Sequence, residues 1–212
     1  MSKRKTIAVA IVLALVLLIG GMLAFFTDTD TATNVFTLGN VDISLSEPDW
    51  EEDNATDLLP GATIVKNPVV TNESSSNNAY VFVEVIVPCY ASGDTTGTAL
   101  VDEPLFTLGT TNTAWNLMST SDIDTTAKTI TYVYNYGDTS GMTSLAKSVS
   151  TPKTATPEVF HNVTLASNIT GKENGVKEVL TGNINIVVNA YGIQTSDLGA
   201  ETPLQIYGLF AN

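Results

Sequence analysis

Cysteine and histidine each occur once in this 212-residue chain, and positive charge is scarce. With Cys89 alone, no intramolecular disulfide can form, so packing must hold the core. A lone thiol beside an apolar run reads most simply as a small buried residue. With His161 alone, a zinc protease of the two-histidine helical type is excluded, because that site needs two imidazoles on one helix face. Cys89 and His161 are the sole thiol and imidazole for a nucleophile–base pair, and both lie in strand-like patterns where burial is the simpler reading. Nine Lys and Arg face 22 Asp and Glu, and three of the nine are Lys3, Arg4 and Lys5. Beyond that tip six cations oppose all 22 acids, a net charge of −16 that repels nucleic acid and anionic lipid. No window after residue 26 carries an amphipathic helix of three turns; residues 142–149 are at most a short one. No repeat is apparent that would build a solenoid.

One long apolar run is present, and it stands at the start. Residues 7–26 are apolar or small, and no charge occurs between Lys5 and Asp28. Three cations before such a run keep the N-terminus cytoplasmic and send the remainder across a membrane. A twenty-residue helix would reach about 30 Å, enough for a retained anchor. Against retention, Gly20 and Gly21 interrupt the run, and Ala24 is a small residue where a signal peptidase needs one. Cleavage between Ala24 and Phe25 is the preferred reading, although Met22 is large for the position three before the cut. The resulting division is a signal peptide at 1–24, an N-terminal segment at 25–38 and a β-sandwich domain at 39–212.

Beyond the run the pattern has period two. From Thr129 to Tyr136, Ile130, Tyr132, Tyr134 and Tyr136 alternate with Thr129, Thr131, Val133 and Asn135, which predicts a half-buried strand. The same period recurs at 183–191 and in the set Val159, His161, Val163 and Leu165. Residues 80–88 are apolar on both faces except at Glu84, as in a central strand of a two-layer structure. Val41, Ile43 and Leu45 are out of phase with Phe36 and Leu38, so a turn or bulge is expected at Gly39 and Asn40. The apolar 206–210 reads as a last strand. Many short strands between Gly, Asn, Asp and Ser clusters predict an all-β protein, an antiparallel two-sheet sandwich of jelly-roll type behind an apolar signal helix.

The order of features resembles the TasA/camelysin family of secreted Gram-positive proteins. The likeness rests on Leu23-Ala-Phe-Phe-Thr-Asp28, Phe36-Thr-Leu-Gly-Asn-Val-Asp-Ile43, Leu59-Pro-Gly61, Ile64-Val-Lys-Asn-Pro68, Ala79-Tyr-Val-Phe-Val-Glu-Val85 and Asn189-Ala-Tyr-Gly-Ile-Gln194. It is strong over residues 1–90, weak between 91 and 180, and returns near 182–194. The resemblance implies a jelly-roll subunit of extracellular biofilm-matrix fibres, cut by a SipW-type signal peptidase. It also implies that the freed N-terminal segment is donated as a strand to the next copy. By position the donor strand comprises Phe25, Phe26, Thr27, Thr29, Thr31, Thr33, Val35 and Phe36. The residues themselves suit that role: residues 25–36 are rich in Thr and contain neither Pro nor Gly. Partners implied are further copies of the chain, the peptidase, and other matrix proteins or polysaccharide. The membrane is met only through residues 1–24 before cleavage, and localisation is secreted, in the matrix or at the cell surface. The bland alternative makes residues 27–34 a spacer behind a signal or anchor, and the protein a membrane-anchored surface sandwich that does not polymerise.

No catalytic residue, cofactor or metal site is assigned. Asp28 with Asp30, residues 51–53, and Asp122 with Asp124 offer oxygen ligands but lack the loop grammar of a known calcium site. Leu59-Pro-Gly-Ala-Thr63 lacks the sortase order. A carbohydrate-binding module is the third class: Tyr132, Tyr134 and Tyr136 share a strand face, with Trp50 and Trp115 available, and exposed rings there would favour it.

Overall fold

The computed structural model describes residues 33–51, 58–176, 185–199 and 202–210. The expected signal helix, the Ala24–Phe25 cleavage site and residues 25–32 lie outside them. The described strands are β1 (Thr33–Leu38), β2 (Ile43–Ser46), β3 (Thr63–Val65), β4 (Val69–Asn72), β5 (Ala79–Tyr90), β6 (Glu103–Pro104), β7 (Phe106–Leu108), β8 (Trp115–Thr120), β9 (Thr129–Tyr136), β10 (Thr154–Ala155), β11 (Asn162–Leu165) and β12 (Val187–Gln194). A short helix α1 (Pro203–Tyr207) and a 3-10 turn (Gly208–Phe210) follow.

The all-β expectation holds, and β5 is its centre. The main sheet has the order β1-β12-β5-β9-β8, with β6 attached to the end of β5. Two three-stranded sheets, β10-β4-β2 and β3-β11-β7, complete the fold. Val81, Val83, Val85 and Val87 of β5 share one face and are fully buried. They form one core with Ile130 and Tyr134 of β9, Val188 and Ala190 of β12, and Ile43, Val70, Phe106 and Val163 from the small sheets. Each such valine contributes about 1.5–3 kcal/mol by leaving water. Gly192 admits β2 to this core, since a Cβ there would lie 2.9 Å from Ile43 Cδ1. Pro88 is tolerated because the β12 register ends at Ile86, so its missing N–H breaks no bond on that side.

The opposite face of β5 is covered as well. Phe82 is fully buried there with Ile193 and Ile206, under the rings of Tyr207 and Phe210. Residues 206–210, expected as a last strand, are instead helical. Thr202 and Gln205 form a reciprocal capping box with Pro203 in the first turn, three signals that start a helix.

Three further expectations change. β1 runs parallel to β12, so the main sheet is not wholly antiparallel; the intervening domain serves as the crossover that a parallel pair requires. Residues 142–149 form no helix: Leu145 exchanges backbone hydrogen bonds with Ala79. His161 lies just before β11 and its side chain is exposed, whereas Cys89 is buried in β5 as expected. The turn anticipated at Gly39 is present, with φ +76°.

Candidate functional site

A sheet edge is the feature that the sequence motifs and the fold place together. Thr33, Val35 and Phe36, three of the proposed donor residues, fall in β1 at one edge of the main sheet. Their backbones pair with Val188, Ala190 and Tyr191 of the same chain. The remaining donor residues, Phe25, Phe26, Thr27, Thr29 and Thr31, lie outside the described residues, as does Ala24.

β1 is attached by few side chains. Phe36 stacks on Tyr191 with centroids 5.0 Å apart, and Asn34 Nδ2 donates to Asn189 Oδ1 at 3.0 Å. Asn189 Nδ2 donates in turn to Glu84 Oε1 at 2.7 Å, and Tyr207 OH donates to Glu84 Oε2 at 2.7 Å. A single carboxylate thus ties β5 to β12, and through Asn189 to β1, while also holding α1. Desolvation, reinforced by Glu84, pushes the Tyr191 phenol up to about 12 and raises Tyr207 further, so both remain neutral donors.

Along β1 the side chains from residue 34 onward are exposed. Val35, Phe36 and Leu38 are 42%, 48% and 38% accessible. The strand reads Thr-Asn-Val-Phe-Thr-Leu, without charge or proline. Soluble proteins usually protect sheet edges with charge, proline or a bulge. Among the described residues none of these devices guards β1, in a chain whose net charge otherwise repels its own copies.

The alternative sites resolve differently. Tyr134 is buried, and Tyr132 and Tyr136 pack against the core, so the tyrosine row is not an exposed sugar platform. Burial pushes the Cys89 thiol up to about 11, and its Sγ lies 3.9 Å from Val87 O. His161 Nδ1 is instead 3.0 Å from Glu158 Oε2, so the two do not form a nucleophile–base pair. Asp124 accepts from Ala127 N and Thr126 N, each at 2.8 Å, which holds its pKa below the usual carboxylate range and marks a turn. Asp28, Asp30 and Asp53 lie outside the described residues.

Glu158 sets the titration of the only imidazole. Its hydrogen bond and charge raise the His161 pKa above the ordinary 6.5, with a smaller pull from Asp49. The folded chain therefore holds this proton more tightly than the unfolded chain. The stabilisation is complete below about pH 6.5 and is lost as pH rises through the folded value. An NMR titration is expected to show a raised midpoint that Glu158→Gln returns toward 6.5; an unshifted midpoint would contradict the contact.

Among the described residues the fold is mostly β, and its distinctive feature is the uncharged edge strand β1. Residues 2–94 match the family described as camelysin metallo-endopeptidase. Across that N-terminal stretch, 93 of the 212 residues, the chain is similar to the TasA/camelysin family. No curated protein and no solved structure gives a significant match. The family description implies a metal, and the donors do not fit one. No three His, Cys, Asp or Glu among the described residues are grouped to hold a metal, and His161 is engaged by Glu158.

Sequence reasoning missed two features near this site. The C-terminal helix was announced by Thr202-Pro-Leu-Gln205, a capping signal that could have been found. The opposite edge strand β8 carries no motif, because its position follows only from long-range pairing with β9.

Proposed function

We propose that the chain is a secreted structural subunit of extracellular matrix fibres, of jelly-roll type and without enzymatic activity. In this reading removal of residues 1–24 frees the N-terminal segment, which is then donated as a strand to the next copy. The observation that carries it is β1: the C-terminal half of the donor sequence is already in strand form at an open, uncharged sheet edge. Donating about ten residues adds on the order of ten backbone hydrogen bonds of about 1 kcal/mol each, before ordering entropy is subtracted. The contact joins unlike surfaces, so it propagates instead of closing at a dimer. Cleavage acts as the trigger, because an N-terminus held in a membrane cannot enter a neighbour.

The length of the apolar run favours a second reading, a membrane-tethered surface sandwich with the same fold. The two differ in the fate of residues 1–24. Intact mass measurement of the secreted chain, with sedimentation of the same sample, tests them together. The expected result is a species starting at Phe25 that pellets as large assemblies. A cell-bound species retaining residues 1–24 would support the tether.

A further inference from the structure

The C-terminal segment and the edge strand β1 grip the same part of the sheet. On the face of the main sheet away from the valine core, pairing aligns Asn34, Asn189 and Glu84 in one row across β1, β12 and β5, and Phe36, Tyr191 and Phe82 in the next. Residues 203–210 lie over the second row. The Tyr207 ring centroid is 5.4 Å from Phe82 and 5.5 Å from Tyr191, and Phe210 is 5.2 Å from Tyr191. Phe36 stacks on Tyr191 at an interplanar angle of 16°, whereas Tyr207 meets the same ring at 82°, so both contacts are made at once. In the first row Tyr207 OH and Asn189 Nδ2 each donate at 2.7 Å, to the two oxygens of the Glu84 carboxylate. With its NH2 group committed to Glu84, the Asn189 amide turns its oxygen toward β1, where Asn34 Nδ2 donates at 3.0 Å.

The two side-chain contacts that tie β1 to β12 therefore end on Tyr191, which the C-terminal segment touches, and on Asn189, which is oriented by the carboxylate that Tyr207 binds. Neither segment is rooted in the valine core. β1 contributes no residue to it, and within residues 203–210 Ile206 alone is buried. A five-residue helix is far below the length that persists unaided, so α1 stands only while it is docked. Elements with so few buried contacts open at the low-stability end of a fold, without global unfolding. We infer that residues 202–210 are a latch for β1: with Tyr207 on Glu84 the edge strand stays on β12, and lifting the segment loosens β1 and uncovers the β12 edge. Such coupling is reciprocal, so loosening β1 also loosens the latch. The latch operates within one chain, whether or not copies assemble.

Hydrogen–deuterium exchange read by mass spectrometry tests the latch, on the chain beginning at Phe25 and at low salt, where its excess of acids keeps copies apart. Tyr207→Phe keeps the ring and removes the bond to Glu84; Tyr207→Ala removes both. The expected result is exchange across residues 33–38 at least about fivefold faster in Tyr207→Ala, the low end of typical coupling between sites, and accelerated less in Tyr207→Phe, while β9 exchanges as in the parent. From the other side Phe36→Ala removes a side chain that is 48% exposed, so the core keeps its packing. It is expected to speed exchange across residues 203–208. Acceleration confined to residues 203–210 in the Tyr207 variants, or to residues 33–38 in Phe36→Ala, would overturn the latch, because the two segments would then open independently. Equal acceleration of β9 would overturn it as well, since the C-terminal segment would then support the whole domain and not β1 in particular.

Discussion

Replacing Lys66 with methionine is expected to destabilise the domain by about 3–5 kcal/mol, the largest single-residue effect outside the valine core. Lys66 follows β3 and Glu47 follows β2, and their side chains are 1% and 4% exposed. The lysine Nζ lies 2.8 Å from Glu47 Oε1 and 2.9 Å from Oε2, with the Trp50 ring 4.9 Å away. Burial pushes the lysine pKa below its ordinary value, and the Glu47 carboxylate pulls it part of the way back. Removing the cation strands a buried carboxylate, which is the costly event. Adding Glu47→Leu to Lys66→Met is therefore expected to recover most of the loss, since apolar replacement of a whole buried pair is often neutral. Urea unfolding of the parent, both single variants and the double variant measures this coupling. Single losses below about 1 kcal/mol, the range of an exposed pair, would contradict the buried geometry.

The pair has a positional consequence. Asn67 Nδ2 donates to Asp49 Oδ2 at 2.9 Å, and Asp49 N donates to Asn67 Oδ1 at 3.2 Å. Together with Lys66–Glu47 these bonds pin the turn after β2 against the turn after β3, where the two small sheets meet.

Strands declared by alternation alone were legible in the sequence. Residues 129–136 form β9 with the expected faces, and residues 80–88 lie within β5, where apolar side chains fill both faces except at Glu84. What stayed illegible depends on distant partners. The tyrosines of β9 read equally well as a platform or as core, and only their placement opposite Val83 and Val85 decides for core. Lys66 reads as a solvated charge until Glu47, nineteen positions earlier, is brought beside it. Nor could the sequence show β1 parallel to β12, because a parallel pairing leaves no local turn to read. An apolar run of five such as residues 206–210 has no period of its own, so only the Thr202–Gln205 cap before it distinguishes a helix from a strand.

Loss of the N-terminal strand is the second large effect. Deleting residues 25–36 removes the donor and most of β1 but none of the buried core, since β1 contributes no residue to it. Its contacts with the domain are the β12 pairing, the Phe36–Tyr191 stack, the Asn34–Asn189 bond and an approach to β2, none of them in the buried core, so thermal unfolding of the truncated domain is expected to remain cooperative. Assembly should vanish, because the segment donated in the proposed contact is gone. At a net charge of −16 assembly should also strengthen with salt, which screens repulsion between copies over about 10 Å at 0.1 M.

Negative-stain electron microscopy of the secreted chain beginning at Phe25, beside the chain lacking residues 25–36, tests strand donation most directly. Filaments from the first and dispersed particles from the second, over a range of salt, are the predicted result. Dispersed particles from both under every condition, or filaments from both, would contradict it.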